Sequence, residues 1–86
     1  MEIKVLGMGC AKCSLLLNHT RQALQMLGWN ETVEKVDDLD QILQSGVLRT
    51  PALMIDGQVV LSGQTATAET LRDLLLRHRS NPPQKR

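Results

Sequence analysis

The first residues, MEIKVL, alternate: Ile3 and Val5 fall on one side, Glu2 and Lys4 on the other. That period predicts a strand over Met1–Leu6 with at least one apolar face. Gly7-Met8-Gly9 interrupts it. From Cys10 to Leu27 the apolar positions recur at helical spacing, with Cys13, Leu16, Leu17, Thr20, Ala23, Leu24 and Leu27 on one stripe. Gly28 is placed to end this helix in a left-handed conformation, and Trp29 to fold back on Leu24 as the accompanying apolar contact. Glu31–Val36 alternates again and predicts a short second strand. Asp38, with Gln41 three residues on, resembles a capping box and opens a short helix through Leu39, Ile42 and Leu43, stopped by Ser45-Gly46. After Pro51, Ala52–Ile55 is an apolar strand, Asp56-Gly57 is a two-residue hairpin signal, and Gln58–Leu61 returns. Thr67 is placed to cap a last helix whose inner face carries Leu71, Leu74 and Leu75.

The order is β-α-β-α-β-β-α. Two strands joined through a helix pair in parallel by a right-handed crossover, and the hairpin adds an antiparallel half. The expected fold class is therefore α/β, a four-stranded mixed sheet with helices on both faces.

Length limits what such a chain can do. Eighty-six residues make one small domain and exclude an enzyme with separate cofactor and substrate halves. One Trp, no Phe and no Tyr leave the interior to aliphatic side chains and argue against base-stacking nucleic-acid modules. The net charge of +1 is unevenly spread: residues 1–76 hold six basic and nine acidic residues, whereas Arg77–Arg86 hold four basic residues and no acid. That last stretch, RHRSNPPQKR, reads as solvated, which sets the expected division at a domain over 1–77 and a flexible basic tail over 78–86. The longest strongly apolar runs are three residues, so no membrane span is expected, and no apolar leader follows a basic start. A cytoplasmic monomer with reduced thiols is the expectation.

Both cysteines lie three apart, at Cys10 and Cys13, a spacing that random placement gives in about 2% of arrangements. They stand where a strand gives way to a helix. Residues i and i+3 on a first helical turn lie roughly 5–6 Å apart at Cβ, near disulfide range. The N–H groups of that turn lack internal partners and favour negative charge, so a Cys10 thiolate is expected to form below the usual pKa of about 8.5. Cys10 is then the attacking thiolate, and Cys13, on the apolar stripe, the shielded resolving thiol. Lys12 opposes the helix dipole but supports charge on Cys10, or is a solvated surface lysine. Gly7 and Gly9 permit tight turns or serve as loop punctuation. Two thiolates also suit a soft metal or metalloid, with Cys10 and Cys13 as the ligands. A closed zinc site needs four ligands; His19 lies about 240° around the helix from Cys13, and His78 opens the tail, so no metal cofactor is expected.

Gly7–Cys13 is similar to the Gly-Met-x-Cys-x-x-Cys loop of small copper-carrying domains, whose order is β-α-β-β-α-β. The second half points elsewhere. Gly46–Gly57, with Thr50-Pro51 ahead of an apolar strand that leads into Asp56-Gly57, resembles the short thioredoxin-like and glutaredoxin-like redox-active disulfide proteins. The resemblance runs from Met1 to about Arg77. It implies a minimal thioredoxin fold, a cis Pro51 beside the cysteine pair, and Thr50 backbone groups offered to an extended substrate strand; Gly9 and Lys12 join Thr50 and Pro51 as candidate substrate-binding residues. The intervening pair is Ala11-Lys12 rather than Gly-Pro, Gly9 stands where thioredoxins carry Trp, and no Asp lies between Glu2 and Cys10. Gly63 stands alone where glutaredoxins have Gly-Gly for glutathione.

The expected function is a thiol–disulfide oxidoreductase cycling a Cys10–Cys13 disulfide, without cofactor. Its partners would be protein disulfides and a reductase or dithiol donor. A soft-metal or metalloid carrier is the alternative, and a redox-regulated docking module a third reading.

Overall fold

The structure, a computed structural model, describes residues 1–9 and 11–80. Its elements are β1 (Ile3–Leu6), α1 (Ala11–Leu27), β2 (Val33–Val36), α2 (Leu39–Ser45), β3 (Ala52–Ile55), β4 (Gln58–Ser62) and α3 (Ala68–Ser80). The sheet order is β2-β1-β3-β4. β1 and β2 run parallel, with Ile3 opposite Val33 and Leu6 opposite Val36. β3 runs antiparallel to β1, with Leu6 opposite Ala52, and antiparallel to β4.

Alternation along the strands sorts side chains into two cores. Ile3, Val5, Leu53 and Ile55 face α1 and α3, where they meet Leu16, Ala23, Leu24, Leu71 and Leu75. Leu6, Val36 and Ala52 face the opposite way and are covered by Ile42 and Val47. Helices therefore lie on both faces, α1 and α3 on one and α2 on the other. This is the minimal thioredoxin fold.

The ends of α1 follow its sequence closely. The helix buries Cys13, Leu16, Thr20, Ala23 and Leu24. Thr20 is buried without cost to its hydroxyl, which donates to the Leu16 carbonyl at 2.6 Å. Gly28 has φ +69°, its N–H donates to the Gln25 carbonyl and the Trp29 N–H to the Leu24 carbonyl, each at 3.1 Å. Those two bonds are the Schellman arrangement, and Trp29 packs onto the larger core. At the hairpin, Asp56 (φ +51°) and Gly57 (φ +82°) both take positive φ, as a two-residue turn matched to strand twist requires. Thr67 caps α3: its Oγ1 accepts from the Thr70 N–H at 3.2 Å.

Two expectations need correction. Asp38 precedes α2 in an extended conformation, but its side chain makes no capping bond, so the capping box with Gln41 is not formed. Of the three apolar residues expected on that helix only Ile42 is buried; Leu39 and Leu43 are exposed. A seven-residue helix turns too few side chains inward to cover more. The expected start of the tail also falls inside α3, which continues through Ser80. His78 is 8% exposed, and its Nε2 lies 3.2 Å from Asp56 Oδ2. Arg79 lies over the Trp29 ring, 4.5 Å from its centroid. Each of these residues has a partner from another part of the chain, which is what carries the helix past Arg77. The rest of the expected tail, 81–86, lies outside the described residues.

Candidate active site

β1 delivers the chain to one end of the sheet. The Gly7 N–H donates to the Val36 carbonyl at 2.9 Å, extending the parallel ladder by one bond. Gly9, with φ +81°, then turns the backbone towards α1. The Cys13 side chain returns onto Gly7: a Cβ placed on Gly7 would collide with Cys13 Sγ and stand 3.0 Å from Cys13 Cβ. The same position is 4.0 Å from Pro51 Cα. The Cys13 sulfur on α1 and the proline ahead of β3 therefore both lie close to Gly7.

The Thr50–Pro51 peptide bond is cis. Pro51 is buried and lacks an N–H, while its carbonyl accepts from the Gly63 N–H at 2.8 Å. The Arg49 carbonyl accepts from Ser62 Oγ at 3.0 Å. The end of β4 thus fixes the segment that carries the proline.

Of the residues that the sequence singles out, Cys13 and Pro51 are brought together. Cys13 is 4% exposed. Thr50, Gly9 and Lys12 are exposed, Lys12 in the first turn of α1. That turn contains no acid, so its N–H groups, which have no partner within the helix, and the Lys12 ammonium make the helix start electropositive. Cys10 precedes α1 directly in sequence and lies outside the described residues. His19 is tied elsewhere, its Nδ1 lying 2.8 Å from the Ala66 carbonyl oxygen in the β4–α3 loop. Among the described residues no group of three or more His, Cys, Asp or Glu side chains is arranged to hold a metal.

The thioredoxin domain profile matches residues 1–76, which takes in every strand, α1, α2 and most of α3. The chain belongs to the thioredoxin domain family. Over 75 residues it is 36% identical to a thioredoxin of Methanothermobacter thermautotrophicus, covering 87% of this chain and 97% of that one. A thioredoxin of Methanocaldococcus jannaschii is 29% identical over 73 residues, 85% of this chain and 84% of the relative. Membership in the thioredoxin family implies thiol–disulfide redox chemistry.

Two features of this thioredoxin-domain site are not legible from residue spacing. Gly7 has no positive φ; it is glycine because a sulfur occupies the place of its side chain. Arg49 gives no motif, yet its stem lies along Gly63, where a Cβ would be 3.1 Å from both Arg49 Cβ and Cδ. Gly63 has φ +78° and is the donor to Pro51, so a glycine one residue past an apolar strand was the available signal. No described helix is long and apolar enough to cross a membrane.

Proposed function

We propose that the protein is a thiol–disulfide oxidoreductase that reduces or exchanges disulfides in partner proteins through Cys10 and Cys13. The observation that carries this reading is Cys13, buried in the first turn of α1 with its sulfur against Gly7, beside cis Pro51. Cys10 is the nucleophile. Its thiolate, favoured by the electropositive helix start, attacks one sulfur of a substrate disulfide; an S–S bond forms between Cys10 and substrate, and the other substrate sulfur leaves as a thiolate that takes up a proton. Cys13, once deprotonated, attacks the Cys10 sulfur of this mixed disulfide and releases the second substrate thiol. Two electrons have then passed to the substrate, and the protein holds a Cys10–Cys13 disulfide. A dithiol donor or reductase reverses the exchange and restores the reduced form.

The segment around Pro51 suits the substrate's part. Thr50 is exposed beside a proline without N–H, so its own backbone groups are the ones an extended substrate strand can pair with. Gly9 leaves that approach clear of a side chain, and Lys12 supports the charge on Cys10. The domain suffices for this chemistry as a monomer, and a reducing cytoplasm suits it.

Reduction of a protein disulfide with dithiothreitol as donor tests the proposal. Wild type should accelerate it well beyond Cys10→Ser and Cys13→Ser. A wild type no faster than either variant with any dithiol donor, together with tight binding of a soft ion by both thiols, would favour the carrier reading.

A further inference from the structure

We infer that Arg49 selects the substrate of this site by offering its guanidinium to a carboxylate on the partner strand that lies against Thr50 and Pro51, which makes acidic polypeptide disulfides the preferred class. The inference rests on the oxidoreductase reading and adds a specificity to it.

Arg49 is exposed and stands two residues before cis Pro51. It takes part in none of the ion pairs among the described residues. Its position is nevertheless fixed. Ser62 Oγ holds its carbonyl at 3.0 Å, and its stem lies across Gly63, whose own N–H is committed to Pro51. A stem already laid on the backbone loses less freedom when its head group binds. The planar guanidinium is the cation best matched to a carboxylate, through two parallel hydrogen bonds.

No acid at the same end of the sheet is paired with it among the described residues. Asp37, Asp38 and Asp40 follow β2, at the edge opposite the end of β4 that Arg49 lies against, and Glu69 stands in the first turn of α3, six residues past Gly63, in none of those ion pairs. The edge beside Pro51 thus offers a substrate an exposed guanidinium that is in no ion pair.

Three model peptide disulfides that differ only in having an acidic, neutral or basic residue next to the half-cystine test this. Each is mixed with the reduced protein at low and high salt, and the second-order rate of thiol release is measured. Wild type should favour the acidic over the basic peptide about fivefold at low salt, with the ratio shrinking as salt rises. Arg49→Gln should bring the ratio near one, Arg49→Glu should invert it, and Lys12→Gln should change it less than Arg49→Gln does. The ratio is read within each variant, so a general loss of activity cancels. A wild-type ratio near one with the neutral peptide still reduced, or an unchanged ratio in Arg49→Gln, overturns the role of Arg49 and leaves the oxidoreductase reading standing. Failure to reduce any of the three overturns both.

Discussion

The sulfur of Cys13 occupies the space that a side chain on Gly7 would need. The two residues come from different parts of the chain, just past β1 and in the first turn of α1, and cis Pro51 lies close to the same position. A methyl group at position 7 has nowhere to go without moving the thiol. Gly7→Ala should therefore destabilise the fold by about 1–3 kcal/mol, the usual cost of overpacking a filled site. Denaturant unfolding measures this. In the proposed cycle the same variant should slow resolution of the mixed disulfide more than its formation, because the displaced sulfur is that of Cys13.

The two thiols should also differ in a direct trapping experiment. With Cys13→Ser, the Cys10 adduct of a protein disulfide cannot be resolved and should accumulate; with Cys10→Ser, the buried Cys13 should form little. Non-reducing electrophoresis reads both. Alkylation of Cys10 against pH should titrate below the free-thiol value of about 8.5, and Lys12→Gln should move that midpoint upward. Equal trapping by the two variants would contradict the division of roles.

At the other end of the sheet a carboxylate ties three segments together. Asp56 Oδ1 accepts from the Glu2 N–H at 2.7 Å, and Oδ2 faces His78 Nε2. The Glu2 N–H, with lesser help from His78 and the charged N-terminus, holds the Asp56 carboxyl below its ordinary pKa of 3.8, against the opposing effect of burial. A carboxylate whose pKa is lowered on folding stabilises the fold above its unfolded value, and that contribution is lost as pH falls through the folded value. Wild type should therefore exceed Asp56→Asn in stability at pH values above about 5, and the difference should shrink as pH drops below 3.8. Asn suits the turn, since it tolerates positive φ and still offers an oxygen to Glu2. Thermal melts of both proteins over a pH series check the trend.

Helix starts give a contrast between two residues that look alike in sequence. Thr67 makes its capping bond and Asp38 does not. Thr67→Ala should cost about 1 kcal/mol, within the usual range for a lost cap, and Asp38→Ala less than half of that. Chemical denaturation of the two variants compares them.

That contrast also marks what residue patterns reveal here. The stripe on α1, the Gly28–Trp29 end, the Asp56-Gly57 hairpin and the alternating strands are local, and periodicity carries them. The Asp38–Gln41 spacing is local too, but spacing only permits a capping box, and the Asp38 side chain does not form one. His78 was invisible for another reason. Its place depends on Asp56, which lies 22 residues earlier, so from the sequence the basic, Pro-containing stretch reads as tail from His78 onward. At the site, the Cys10–Cys13 spacing and the Thr50-Pro51 pair were readable, the latter only through family resemblance. Gly7 and Arg49 were not, because each is defined by contact with a residue from another element, Cys13 and Gly63.

The most direct test of the proposed chemistry is a mass balance on a single turnover. Reduced protein is mixed with one equivalent of a neutral peptide disulfide, quenched with acid and analysed by intact mass and peptide mapping. The cycle predicts two released substrate thiols for each protein oxidised, a protein lighter by two hydrogens, and a Cys10–Cys13 bridge in the map. A protein of unchanged mass after the substrate has been consumed, or one that stops as a stable mixed disulfide although Cys13 is present, would contradict it.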